Sequence, residues 1–198
     1  MITEVTAVLL AGGKSRRMGE DKRFLPVGDR TLLERSCTVL QQVFNSVCVV
    51  IAQDSPALDV RVPVFRDLIP NCGSLGGLYT GLKQAKTGHI FLAACDMPFL
   101  NPQLIKHLVR LRGDKDVVIC RWKGRVHPTH ALYSQHCCDV IETMLRARQL
   151  PIQNLITHPA LRIRVVEDGE IERIDQEGRS FLNVNTPSDL ASVRKLSS

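Results

Sequence analysis

The stretch Leu10-Ala11-Gly12-Gly13-Lys14-Ser15-Arg16-Arg17-Met18-Gly19-Glu20-Asp21-Lys22 sets two adjacent glycines among several cations. Consecutive glycines let a backbone approach a ligand closely. The N–H groups of such a turn form a concavity that attracts anions. The chemistry this suits is phosphate binding, although composition alone is equally satisfied by a solvated basic loop. Gly13-Lys14-Ser15 looks like the end of a Walker A motif. That motif also needs a glycine five residues before the second one, and Val8 holds the position. A P-loop NTPase is therefore excluded.

Three further constellations can do chemistry. Ile90-Phe91-Leu92-Ala93-Ala94-Cys95-Asp96 ends a very apolar run on a carboxylate, which is costly to bury unpaired. Asp96 is either a cap for the next turn or a metal ligand, and a single carboxylate at a strand tip suits Mg²⁺. Asp67-Leu68-Ile69-Pro70-Asn71-Cys72-Gly73-Ser74-Leu75-Gly76-Gly77 is a turn leading into a helix, whose N-terminus favours anions. Asn183 and Asn185 lie two apart on an extended segment, so they project to one side and can hydrogen-bond a common ligand. In Arg125-Val126-His127-Pro128, His127 reads better as a pre-proline loop residue than as a catalytic group.

These residues must be positioned by strands and helices. Short apolar runs at Val5–Leu10, Val47–Ala52, Ile90–Ala94 and Val117–Cys120 read as strands, with weaker ones at Ala131–Tyr133, Ile163–Val166 and Phe181–Val184. Between them, Thr31-Leu32-Leu33-Glu34 is a capping box, followed by Leu33, Cys37, Leu40 and Phe44 on one face. Gly76–Lys86 is a second helix, and Asn101-Pro102 starts a third through Arg112. Cys137–Arg148 is a fourth, and Thr186-Pro187-Ser188-Asp189 caps the last. The alternation predicts one α/β domain over residues 1–198, a mostly parallel sheet with helices on both faces. Ligands then bind beyond the carboxyl ends of the strands.

Composition narrows the function class. A net charge of +6 spread without a dense basic block, and only 5% aromatics, argue against nucleic-acid binding. Seven cysteines form no CxxC or zinc spacing. Cys37, Cys48, Cys95 and Cys120 lie in apolar settings and Cys137-Cys138 are adjacent, which fits a reduced, cytosolic protein. Val5–Ala11 is too short for a signal core or membrane span, so no membrane partner is expected.

Leu10-Ala11-Gly12-Gly13-x-Ser15-x-Arg17-Met18-Gly19-x-Asp21-Lys22 resembles the signature of nucleotidyltransferases built on a glycosyltransferase-A-like, Rossmann-type fold. The double glycine resembles the MobA-type molybdenum cofactor guanylyltransferases, where related pyrimidine-nucleotide enzymes carry Ala-Ala-Gly. Asp67-x-x-Pro70-x-x-Gly73-Ser74-Leu75-x-Gly77, Cys95-Asp96-Met97-Pro98-Phe99 and Asn183-x-Asn185-Thr186-Pro187-x-Asp189-Leu190 resemble three more of that family's elements, with Ser74 in place of a proline.

The resemblance implies a nucleotide-binding loop of Leu10, Ala11, Gly12 and Gly13, with Lys22 and Arg17 neutralising the triphosphate. It further implies Asp67 on the nucleotide, Asp96 on Mg²⁺, and Asn183, Asn185 and Arg125 near the pterin. GTP and molybdopterin would be the substrates, with molybdoenzymes or their chaperones as protein partners. Where the family has an Asn at the end of the second strand, this chain reads Ala52-Gln53, which leaves open how guanine is read. The alternatives are a cytidylyltransferase for the same pterin, another small-molecule nucleotidyltransferase, and a non-catalytic module that holds pterin or nucleotide.

Overall fold

The structure is a computed structural model that describes residues 1–12 and 21–197. It opens with β1 (Ile2–Leu10), whose residues Val5 to Leu9 are all buried. A two-stranded hairpin, β2 (Pro26–Val27) and β3 (Arg30–Thr31), leads into α1 (Leu32–Val43) and β4 (Phe44–Ile51). Next come β5 (Val64–Arg66), α2 (Gly73–Gln84), β6 (His89–Ala94) and α3 (Pro102–Arg110). The second half holds β7 (Val117–Trp122), β8 (Arg125–Ser134), α4 (Cys137–Arg146), β9 (Ile163–Val166), the short α5 (Asp168–Ile171) and α6 (Pro187–Ser197). None of the described helices is long and apolar enough to cross a membrane.

Among the described residues, seven strands form one sheet in the order β5-β4-β1-β6-β8-β7-β9. The β5–β4, β4–β1, β1–β6 and β7–β9 pairs are parallel, while β8 runs antiparallel to both of its neighbours. Strand alternation divides the core. Val5, Ala7 and Leu9 face Leu33, Leu40, Leu104 and Leu108 of α1 and α3. Val8 faces Leu75, Leu78 and Ile141 of α2 and α4. The sheet is mostly parallel and clad on both faces, as the alternation predicts.

The predicted caps are present. Thr31 Oγ1 accepts from Glu34 N at 3.2 Å, and Glu34 Oε2 accepts from Thr31 N at 2.8 Å. Asn101 Oδ1 accepts from Gln103 N at 2.8 Å. Thr186 and Asp189 exchange bonds of 2.8 and 3.2 Å at the head of α6. Element ends differ from expectation. Phe44 begins β4 rather than extending α1, α2 starts at Gly73 and ends at Gln84, α3 stops at Arg110, and α4 stops at Arg146.

Phe181–Val184 is not a strand. Asp175 accepts from Arg179 N at 3.0 Å and Ser180 N at 2.9 Å, winding Arg179–Phe181 into a 3-10 turn. Phe181 and Val184 then bury into separate clusters. Gly178 (φ +63°) permits the turn and lies where a Cβ would fall 2.3 Å from the Trp122 indole. Trp122 in turn stacks on Phe181 at 6.0 Å between centroids.

Candidate active site

A cleft of about 900 Å³ opens at the carboxyl ends of the parallel strands. Its lining runs from Asp67 after β5 and Ala52–Pro56 after β4, past Gly12 after β1, to Cys95 and Asp96 after β6. Thr129 and Asn183 close the far side. Neighbouring strands are about 4.8 Å apart, so the tips of β4 and β6 lie roughly 10 Å from each other.

At the centre, Gly12 touches the strand next door. A Cβ on Gly12 would stand 3.0 Å from Ala52 N, tight enough that the backbone of the neighbouring strand would have to shift. Ala11 is buried and tethered: its N–H donates to Val50 O at 2.9 Å and its carbonyl accepts from Arg23 Nη1 at 3.2 Å. Asp21 pairs with the same Arg23, fixing the turn that carries Lys22. The Lys22 Nζ donates to Asp96 Oδ2 at 2.7 Å and to Asn185 Oδ1 at 3.2 Å. Both members of the Lys22–Asp96 pair are mostly shielded, with side-chain exposures of 17% and 16%. Asp96 is held from behind, because Val184 N donates to its carbonyl at 2.9 Å and Cys95 N donates to Leu10 O at 3.0 Å.

On the β5 side, Asp67 Oδ1 is buried and has no hydrogen-bond partner among the described residues. Burial alone pushes the Asp67 carboxyl up to about 6. Next to it, Asn71 (φ +60°) and Gly73 (φ +56°) turn the chain into α2. The helix is drawn tight against β1, since a Cβ on Gly77 or Gly81 would come within 2.7 Å of the Leu10 or Val8 side chain.

On the other side, Asn183 and Asn185 are both exposed and flank buried Val184. Asn183 lines the cleft, and Asn185 meets it through Lys22. Arg125 stands exposed at the tip of the β7–β8 hairpin and is not among the residues that line the cleft. Thr129 was not legible in the sequence. Ile119 faces Ala131 but Arg121 already faces Val126, so β8 bulges across His127–His130, and bulges of this kind re-aim side chains.

The two histidines of this stretch pack on aromatic rings. His127 packs on Phe181 at 4.3 Å and His130 meets Phe91 edge-on at 5.3 Å. Burial, and for His127 the Arg125 charge, hold His127 down to about 4. Burial, with His127 beside it, holds His130 down to about 3. Both are neutral near pH 7. Gly13, Arg17 and Lys14 lie outside the described residues. No three or more His, Cys, Asp or Glu side chains gather into a metal cage among the described residues.

Comparisons with known proteins show the family. Residues 7–161 match the family model of the MobA-like NTP transferase domain. A probable molybdenum cofactor guanylyltransferase of Pelotomaculum thermopropionicum is 34% identical over 191 residues, covering 96% of this chain and 92% of that protein. A molybdopterin-guanine dinucleotide biosynthesis protein A from Archaeoglobus fulgidus shares the fold with a TM-score of 0.82 at 22% identity, over 97% of this chain and 98% of the other. A Mycobacterium tuberculosis protein crystallised in complex with manganese superposes with a TM-score of 0.69 at 20% identity, over 97% and 98% of the two chains. The chain belongs to the MobA-like NTP transferase family.

Proposed function

We propose that this chain transfers a guanylyl group from GTP to molybdopterin, releasing pyrophosphate and giving the guanine dinucleotide form of the molybdenum cofactor. The observation that carries the reading is the shielded Lys22–Asp96 pair beside Gly12, at the floor of the strand-tip cleft. The terminal phosphate of the acceptor is mostly dianionic at neutral pH, its second pKa being about 6. An oxygen of that phosphate forms a bond to the α-phosphorus of GTP, while the bond from the α-phosphorus to the bridging oxygen breaks and pyrophosphate leaves. No proton has to be removed, so neutral His127, half-buried, and His130, fully buried, need not act as bases.

What the reaction demands is alignment and neutralisation of two anions. Gly12 gives the phosphates a close backbone. Lys22 exchanges its carboxylate partner for phosphate oxygens. Asp96 fits Mg²⁺, because its carboxylate already holds one cation, the Lys22 ammonium, and Mg²⁺ takes one or two protein carboxylates plus substrate phosphates. The metal would supply charge neutralisation at the phosphates. Arg17 and Gly13 would complete the triphosphate cradle, and Asn183 and Asn185 would hold the pterin. All seven cysteines are buried thiols, which suits a reducing cytosol in which molybdoenzymes or their chaperones receive the product.

The test is turnover of purified protein with molybdopterin, Mg²⁺ and either GTP or CTP, following pyrophosphate release and the dinucleotide product. Pyrophosphate and guanine dinucleotide in equal amounts are expected, with CTP inert. Turnover of CTP would instead make it a cytidylyltransferase. Tight binding of both substrates without pyrophosphate release would make it a carrier.

A further inference from the structure

We infer that Arg66 is a positioning residue that sets discrimination between nucleotide bases, acting through the loop Ala52–Ser55. This rests on the nucleotidyl-transfer reading above. Arg66 ends β5, and its side chain is not part of the cleft lining, whereas Ala52, Gln53, Asp54 and Ser55 all are. The Arg66 Nη1 reaches the backbone of that loop three times. It donates to Gln53 O at 2.7 Å, to Ser55 O at 2.8 Å and, more weakly, to Ala52 O at 3.4 Å. Two further bonds tie the same strand tips: Gln53 Nε2 donates to Asp67 O at 2.9 Å, and Asp67 N donates to Ile51 O at 2.8 Å.

The consequence is a loop whose carbonyls at Ala52, Gln53 and Ser55 are engaged by Arg66. With phosphates at Gly12, Lys22 and Asp96, the nucleoside must extend either toward the tips of β4 and β5 or toward Thr129 and Asn183. The second direction is where the acceptor has to enter, so the base lies against Ala52–Ser55 and Asp67. There the loop carbonyls are taken by Arg66, and Asp67, which lines the cleft, is the side-chain acceptor. The Asp67 carboxylate favours a base edge with adjacent N–H donors, such as the ring N–H and amino group of guanine, over an edge like cytosine's with one donor and two acceptors. The loop also abuts Gly12, where a Cβ would stand 3.0 Å from Ala52 N. Arg66 therefore fixes the gap between base and phosphate contacts without touching either. The Gln53 side chain belongs to the same strap.

The test uses Arg66→Met, which keeps the length of the side chain and removes every donor, and Arg66→Lys, which keeps one charged donor group. Titration calorimetry of the full chain with GTP and with CTP, each with Mg²⁺, is combined with steady-state kinetics and thermal melts. For Arg66→Met we expect GTP affinity to fall about tenfold. CTP affinity should stay within about twofold, kcat at saturating GTP should be unchanged, and the melt should shift by no more than about 2 °C. Arg66→Lys should fall between wild type and Arg66→Met, and it decides the matter if Arg66→Met does not fold. Equal losses for GTP and CTP, an unchanged GTP affinity, or a fall in kcat with KM unaltered would each overturn the inference. Wild-type protein that binds no GTP would remove the functional reading itself. Wild-type protein that binds GTP, beside an Arg66→Met that keeps its selectivity, removes only the role of Arg66.

Discussion

Asp116, just before β7, accepts from Arg162 N at 2.9 Å, Arg162 Nε at 3.1 Å, Ser134 Oγ at 3.1 Å and the His136 ring at 3.1 Å. The buried Oδ1 of Asp67 accepts from nothing among the described residues. Burial pushes the Asp116 carboxyl up, but the Arg162 bonds outweigh it and hold the group well below the usual range. Asp67 has only the burial. The two acids should therefore act on stability with opposite signs. Asp116 adds stability above its unfolded value near 4, and the contribution is lost as pH falls further. Asp67, raised to about 6, binds its proton longer in the folded state, so it subtracts stability as pH rises from about 4 to 6 and stays costly above. In melts taken from about pH 4 to pH 8, Asp67→Asn should melt higher than wild type at the alkaline end and converge with it at the acid end. Asp116→Asn should melt lower at the alkaline end. An Asp67→Asn protein less stable than wild type at pH 8 would mean the carboxylate has a partner.

Lys22 and Asp96 carry a second prediction at this scale. Asp96→Asn should fold normally and lose most activity, since the anchoring charge for a metal is worth several kcal/mol in the transition state. Lys22→Met should weaken GTP binding yet raise the affinity of nucleotide-free protein for Mn²⁺, because the ammonium at 2.7 Å competes for the same carboxylate. Mn²⁺ titration by electron paramagnetic resonance reads this directly, and unchanged Mn²⁺ binding would remove Asp96 from the metal site. Lys14→Ala, by contrast, should leave GTP affinity nearly unchanged.

Lys22, Asp67 and Asp96 were legible because each stands in a string of fixed spacing beside glycines or prolines. Arg66 and Thr129 were not. The first acts through two strand tips brought together only by the sheet, and the second faces the cleft only because β8 bulges.

At the level of elements, α2 is placed by absences. Gly81 meets Val8 so closely that a Cβ would lie 2.7 Å from Val8 Cγ1, and Gly77 meets Leu10 the same way. Gly81→Ala should cost about 1–3 kcal/mol by overpacking, read in denaturant unfolding. The double variant Gly81→Ala with Val8→Ala should cost less than the sum of the two single changes, because Val8→Ala removes the two nearest clashing atoms. Strict additivity would mean that the helix moves away freely. Helix starts were readable wherever a cap marked them, at Thr31, Asn101 and Thr186. Ends were read too long at Arg112 and Arg148, since nothing in the apolar period marks the last turn. Phe181–Val184 was misread because a buried residue at each end mimics a strand, when in fact each belongs to a different cluster.

For the whole molecule, strand–helix alternation was enough to give the layers but not the order of strands or the reversed β8, which depend on long-range pairing. The thiols are a property of the entire fold. All seven are buried, and burial pushes Cys37 up to about 11 and Cys48, Cys95 and Cys137 up to about 12. Thiolates are the reactive species. An aromatic disulfide reagent should therefore find almost no thiol in native protein and all seven in denaturant. Rapid native reaction of several equivalents would show the core opening.

Trp122 is the only tryptophan in the chain, and it is pressed between the backbone at Gly178 and the ring of Phe181. The residues that follow run directly to Asn183 and Asn185. Ultraviolet excitation at the red edge thus yields a signal from one place, the root of the segment proposed to hold the pterin. Acceptor binding should shift or quench this emission. GTP, expected on the far side of β6, should leave it nearly unaltered. Phe181→Leu should blunt the acceptor response while the melt stays close to wild type. The molecule so carries a built-in optical probe that can time the arrival of its second substrate, with no label attached.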